Sequence, residues 1–271
     1  MNNRLRFPEY TFGKRLISMF RVDFRRMFKS PLFYILIACA LLIPVVMNVM
    51  MSMMDGSVSV DPQTGVETII HGPENVWQSI GTLPTAQGAA MGGMDVMSMC
   101  NINMMFMLVA VFVCLFICAD FRSGYAKNLF TVRARKGEYV VSKTLAGFIC
   151  GAFMLAFYFI GAIIGGAVSG LSFEMLGFTA VNLVLCMIAK LFLMLVFVAI
   201  FVLVSVIAKQ KSWLAICGSL GGGMLLFMMV SMITPLNSGL MNVFLCIAGG
   251  VLFSLCLGVF SRLVLNKTRL V

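Results

Sequence analysis

Near the start of this chain, Phe12, Leu16, Phe20, Phe24 and Phe28 recur every four positions, with Ile17 and Met27 beside them and arginines between. That period belongs to an amphipathic helix. Aromatic residues on one side and basic residues on the other suit a helix lying in a membrane interface, before the chain turns inward at Ser30-Pro31. A plain basic tail beside a membrane is the alternative. Beyond Pro31 the polar positions nearly vanish. A bilayer core about 30 Å thick takes about 20 helical residues to cross, and six runs reach that length: 31–54, 97–119, 144–168, 176–208, 213–234 and 241–263. No charged residue occurs from Ser212 to Ser261, which is too long for one crossing, so the turn residues Thr234-Pro235-Leu236-Asn237-Ser238-Gly239 divide it. A partly re-entrant hairpin at that turn is a second way to fold the stretch. The pattern therefore predicts an all-α polytopic membrane protein. A cytoplasmic amphipathic helix occupies residues 1–30, and a six-helix transmembrane domain occupies 31–271.

Composition changes the picture by excluding a water-soluble fold. With 61% of residues hydrophobic and 11% charged, too little polar surface remains to cover a single aqueous core. Charge then orients the chain. Nineteen of the twenty Lys and Arg residues fall before the first run, in the 120–143 loop, at Lys209 and Lys211, or from Arg262 at the end of the last run onward. Positive loops stay on the cytoplasmic side during insertion, so both termini and these loops are expected inside. The outer loop 55–96 holds five acids and no base. It offers a hairpin around Val66 to Ile70 and a short amphipathic piece near Trp77 to Leu83. The net charge of +10 is confined to short loops flanking apolar runs, where headgroups and orientation account for it without nucleic acid. No cleavable leader is expected, because the first apolar run is longer than a secretory one.

Candidate chemistry is sparse. The nine cysteines lie mostly inside apolar runs, with no C-x-x-C pair, and read as small apolar fillers. The twenty-four methionines are scattered without His partners, which suits pliable packing rather than metal binding. The single histidine, His71, sits in the outer loop, so there is no H-E-x-x-H, and no carboxylate pair lies inside a run. Gly221-Gly222-Gly223 lacks the lysine of a phosphate-binding loop, and no G-x-x-x-x-G-K-[ST] occurs. No catalytic residues, metal site or cofactor are expected in this chain. Asn266-Lys267-Thr268 fits a glycosylation pattern but falls on the inner side.

The loop after the second run reads Asp120-Phe121-Arg122-Ser123-Gly124-Tyr125-Ala126-Lys127-Asn128-Leu129 and continues through Arg133, Arg135, Lys136, Gly137, Glu138, Tyr139 and Ser142-Lys143. An acid followed by Ser-Gly, a Lys-Asn-Leu step, an Arg-rich turn and a Tyr before Ser-Lys resembles the inner loop of ABC-2 type transporter permeases. The six-run layout and basic amphipathic start are also similar to that family. The resemblance implies a type V exporter-like permease fold in a bacterial cytoplasmic membrane, paired with a second permease copy as a homodimer or heterodimer. It also implies two separate ATPase subunits that hold ATP and Mg. Phe121, Arg122, Ser123, Gly124, Tyr125 and Asn128 would then form a coupling helix docked in an ATPase groove, with Phe20 and Phe24 on the amphipathic helix beside it. In that family a large outer insertion often lies between the fifth and sixth helices, whereas here it lies between the first and second. The implied function is ATP-driven export of an amphipathic or hydrophobic substrate, with peptides ahead of lipids and drugs. A polytopic protein that confers immunity or binds a membrane partner without pumping is the rival from another class.

Lys190 is the only charged residue buried in the middle of a run, and a charge at mid-bilayer costs about 2.5–3.5 kcal/mol on insertion scales. It must face protein or water. Either it lines the translocation path together with Asn182, or it is satisfied by carbonyls or by Asn182 eight residues earlier on the same face. Gly147 and Gly151, and Gly161 and Gly165, place small residues four apart in the third run, which permits close helix approach, most simply within the chain.

Overall fold

The computed structural model describes residues 12–56, 58–60, 67–69, 75–81, 101–132, 136–175 and 177–267. Arg4, Arg6, Asp61 to Gly65, Val66, Ile70, His71, Leu83, Met97, Cys100, Arg133, Arg135 and Thr268 lie outside them. The described residues are helical apart from short connections and one two-stranded antiparallel ribbon, in which Val58–Val60 pairs with Glu67–Ile69.

Helix α1 spans Phe12–Lys29 and α2 spans Pro31–Met54. Ser30 separates them with φ −80° and ψ 124°. Extended backbone is what a residue preceding proline must adopt, and Pro31 in turn suits the first turn of α2, where its missing N–H goes unneeded. Helix α3, Met104–Arg122, begins after a turn at Asn101 to Asn103 and is followed by the short α4, Tyr125–Val132. Gly124 between them has φ +72°, a left-handed conformation that glycine adopts without penalty. Helix α5 runs 34 residues from Lys136 to Ser169. Helix α6, Ala180–Ala208, is capped by Thr179, whose hydroxyl accepts from the Asn182 N–H at 3.4 Å. Lys209, at φ +54°, ends it and reverses the chain into α7, Ser212–Ile233. The turn at Thr234 to Gly239 leads to α8, Leu240–Lys267.

Among the described residues, five helices are long and apolar enough to cross a membrane: α2, α3, α5, α6 and α8. Helix α7, 22 residues long, is apolar as well. The helix bounds start later than the expected runs at α3 and α6, and α5 starts eight residues before Thr144, inside the expected loop.

Helix α3 is the most buried of the five and packs against α5, α6 and α7. The core around it includes Phe106, Phe112, Tyr158, Phe197 and Phe201. Helix α2 lies along α5, and α8 lies along α6. The α2–α5 contact is backbone to backbone. A Cβ on Gly161 would collide with the Leu41 carbonyl oxygen, and one on Gly165 would come 2.8 Å from Val45 Cα. Pro44 lies between those two α2 residues, and Asn48 Nδ2 donates to the Ala162 carbonyl at 3.3 Å. The paired glycines of α5 thus serve contacts inside the chain, with Gly147 and Gly151 set against Val198 and Met194 of α6. Helix α8 is the least buried, and Leu245, Leu252, Phe253, Leu255, Val259 and Phe260 point outward from it.

The helices gather their polar residues at two ends. At the basic end the start of α2, the α3–α4 bend, the start of α5, the α6–α7 turn and the end of α8 meet, with α1 packed on α5. The opposite end carries a 3-10 turn at Val76–Ser79. There Trp77 Nε1 donates to the Phe173 carbonyl at 3.2 Å and the Val76 N–H donates to Ser172 at 3.2 Å.

Candidate functional site

On α1, the buried residues are Met19, Asp23 and Met27, four apart. An acid on the buried stripe of a helix demands partners, because an unpaired buried charge is severely penalised. Asp23 finds them on α5. Its Oδ1 is 2.7 Å from Lys143 Nζ, and its Oδ2 accepts from Ser142 Oγ at 2.6 Å. Lys143 also reaches Asp120, the antepenultimate residue of α3, at 2.6 Å from Oδ2, and Tyr139 OH donates to the same oxygen at 3.1 Å. Arg26, one turn beyond Asp23, places Nη2 2.7 Å from Asp120 Oδ1 as an ion pair without hydrogen-bond alignment. Two carboxylates and two cations thereby tie α1, α3 and α5 together. Outside this cluster Arg15 pairs with the buried Glu138 at 3.1 Å, a second link from α1 to α5.

Aromatic rings surround the charges. The Arg26 guanidinium lies 4.5 Å from the centre of the Tyr125 ring, so α1 also grips the short helix α4. Lys143 Nζ lies 4.1 Å from the Phe116 ring centre. Phe130 of α4 packs edge-on against Tyr139 at 5.3 Å, and Phe121 does so at 6.4 Å. Burial would lower the Arg26 pKa, but the Asp120 and Asp23 carboxylates outweigh it and the net shift is upward. Burial pushes the Tyr125 phenol up, and the Asp23 charge adds to that shift.

The expected loop residues divide by exposure. Phe121 is buried, Gly124 makes the bend and Tyr125 is half-buried under Arg26. Arg122, Ser123 and Asn128 are exposed, as is Lys127, so α4 offers one polar face to its surroundings. Arg122 Nη2 donates to Ser212 Oγ at 2.5 Å, joining α3 to α7. The Phe20 and Phe24 rings lie tilted with centres 5.6 Å apart, in a ladder that continues through Phe28 to Phe33 and Phe153, and both are half-buried.

Lys190 is apart from this cluster, on α6. It is fully buried, and its Nζ donates to Asn103 Oδ1 at 2.8 Å and Thr234 Oγ1 at 3.0 Å. Asn182 is not its partner. Eight helical residues separate the two by about 12 Å along the axis, beyond the reach of a lysine side chain. The polar ends of α3 and α7 fill that role instead. Among the described residues Lys190 forms no ion pair, and no group of three His, Cys, Asp or Glu side chains converges as a metal site would.

The residues that sequence reasoning passed over are Asp23, Arg26, Asn103 and Thr234. Asp23 carries a legible signal, being the only acid of α1 and in register with Met19 and Met27. Comparison with protein-family models, curated proteins and solved structures gives no match to this chain.

Proposed function

We propose that this chain is the membrane subunit of an ATP-driven exporter of the ABC-2 permease type, working with a second permease copy and two separate ATPase subunits. The observation that carries the reading is the clasp of Asp23, Arg26, Asp120 and Lys143, which joins the amphipathic helix and the short helix α4 to two long apolar helices. Force applied to α4 at its exposed face would pass to α3 and α5 through buried ion pairs rather than through a loose loop. Nucleotide-driven closure of a partner supplies such a force, and it shifts the helices only so far as the partner binds the two arrangements differently.

In this reading the basic end and both termini face the cytoplasm, and six helices, α7 included, cross the bilayer. Arg122, Ser123, Gly124, Tyr125 and Asn128 belong to the ATPase-docking element, with Phe121, Phe20 and Phe24 packing behind it. Lys190 is the one charge beside an otherwise apolar path, which favours an amphipathic or hydrophobic substrate, peptides first. ATP and Mg bind on the partner. The test is co-expression with candidate ATPases from neighbouring reading frames. Co-purification and substrate-stimulated ATP hydrolysis are expected. If no ATPase co-migrates and none is stimulated, the non-pumping partner-binding reading replaces this one.

A further inference from the structure

A crevice of about 640 Å³ opens at the basic end between α1, the start of α2 and the last turns of α3. Its walls are apolar, formed by Leu32, Phe112, Leu115 and Phe116, and its two charged residues are both arginines, Arg26 and Arg122. Phe112 and Phe116 are stacked, with ring centres 5.4 Å apart and planes 14° from parallel.

The charges do not cancel here. Asp23 and Asp120 are matched by Arg26 and Lys143, which leaves the cluster neutral. Arg122 adds a cation whose hydrogen bond goes to the neutral Ser212 hydroxyl, and among the described residues no carboxylate pairs with it. Arg26 Nη1 is buried without a hydrogen-bond acceptor and stands 3.9 Å from Asp23 Oδ1. Ser30 and Ser123 also line the crevice, and the Ser30 hydroxyl caps no helix N–H. The positive dipole end of α2 points the same way.

We propose that this crevice binds one anionic phospholipid, its phosphate held between Arg26 and Arg122 and an acyl chain laid along Leu32, Leu115 and the Phe112–Phe116 pair. A soluble anion would use the arginines and leave the apolar wall wet. A zwitterionic lipid would use the wall and leave the net positive charge unmatched. An anionic headgroup carrying a hydrocarbon chain satisfies both, and basic pockets between helices at headgroup depth are suited to it. Entry is from the side, because Tyr34, Ile35 and Leu42 leave the outward face of α2 apolar and exposed. The site needs the membrane reading of the helices and does not depend on an ATPase or on transport.

Native mass spectrometry of the detergent-purified chain tests it, with phosphatidylglycerol and phosphatidylcholine of equal chain length and inorganic phosphate as a competitor. One retained phosphatidylglycerol per chain is expected, with about tenfold preference over phosphatidylcholine. Arg122→Gln, which removes a surface cation, and Leu115→Trp, which fills the crevice and keeps every charged residue of the ion cluster, are each expected to lower retention about tenfold. Equal retention of the two lipids overturns the proposal, as does unchanged binding in either variant. Displacement of the lipid by inorganic phosphate alone would assign the arginines to a soluble anion and also overturn it.

Discussion

Lys143 Nζ stands 2.6 Å from Asp120 Oδ2 with both side chains sealed from solvent, and the same nitrogen is 2.7 Å from Asp23. One ammonium thus bridges two carboxylates that come from separate helices, and Arg26 supplies the second positive charge. Removing it would leave like charges buried together. Lys143→Met is expected to destabilise the chain by about 3–5 kcal/mol, the range for breaking a buried ion pair from one side. Thermal unfolding of the purified protein checks this, and a loss below about 1 kcal/mol would mean that water reaches the cluster.

Helix packing makes a second prediction through two glycines. Gly161→Ala places a methyl group against the Leu41 carbonyl oxygen and should cost about 1–3 kcal/mol, because neither backbone can yield easily. Gly249, also helical, has nothing within 4 Å of an added Cβ. Gly249→Ala should be neutral or stabilising by up to about 1 kcal/mol. Unfolding midpoints of the pair distinguish close packing from helix propensity.

Lys190→Met keeps the length of the side chain and deletes its donors. Asn103 Oδ1 would lose its 2.8 Å partner inside the protein, whereas the Thr234 hydroxyl still donates to the Val230 carbonyl at 2.8 Å. A loss of about 1–3 kcal/mol is expected from deleting the two buried hydrogen bonds of the ammonium. Lys190→Met combined with Asn103→Leu should recover part of it, which a double-mutant comparison of unfolding free energies measures.

The coupling proposal predicts a separation of activities. Arg122→Glu with Tyr125→Ala should leave insertion and yield near wild type, since Arg122 is exposed and Tyr125 half-buried. It should abolish substrate-stimulated ATP hydrolysis in the assembled complex. Wild-type stimulation in that double variant would remove α4 from the docking role. Gly124→Ala should add about 1–2 kcal/mol of strain at φ +72° and weaken the same response without altering surface charge.

The long helices were legible because lipid-length apolar runs and turn residues are local signals. Pro31 and Met54 bound α2 as read, and α7 and α8 meet near Thr234 to Gly239. A short helix at α4 was expected only as what the resemblance of the 120–143 loop implies. The ion cluster was less accessible. Asp23 and Lys143 are 120 residues apart, and only the folded arrangement shows that the acid of α1 answers the lysine of α5. Lys190 was recognisable as a buried charge needing company. Its partners at sequence separations of 87 and 44 could not be chosen over the nearer Asn182 without tertiary contacts. The α5 extension to Lys136 was missed for a related reason. Its first turns carry Glu138 and Lys143, and charges that mark a loop in isolation become helical once Arg15, Asp23 and Asp120 pair with them.

At 34 residues α5 is a rod about 51 Å long, well beyond the roughly 30 Å of hydrocarbon it has to traverse. Near one tip it carries Lys143, and near the other Gly165 and Gly166 press on α2 and on Val76. A tilt of about 10° around its midpoint would swing each tip by about 4 Å in opposite senses. Such a seesaw would transmit a displacement across the bilayer without unwinding a single turn.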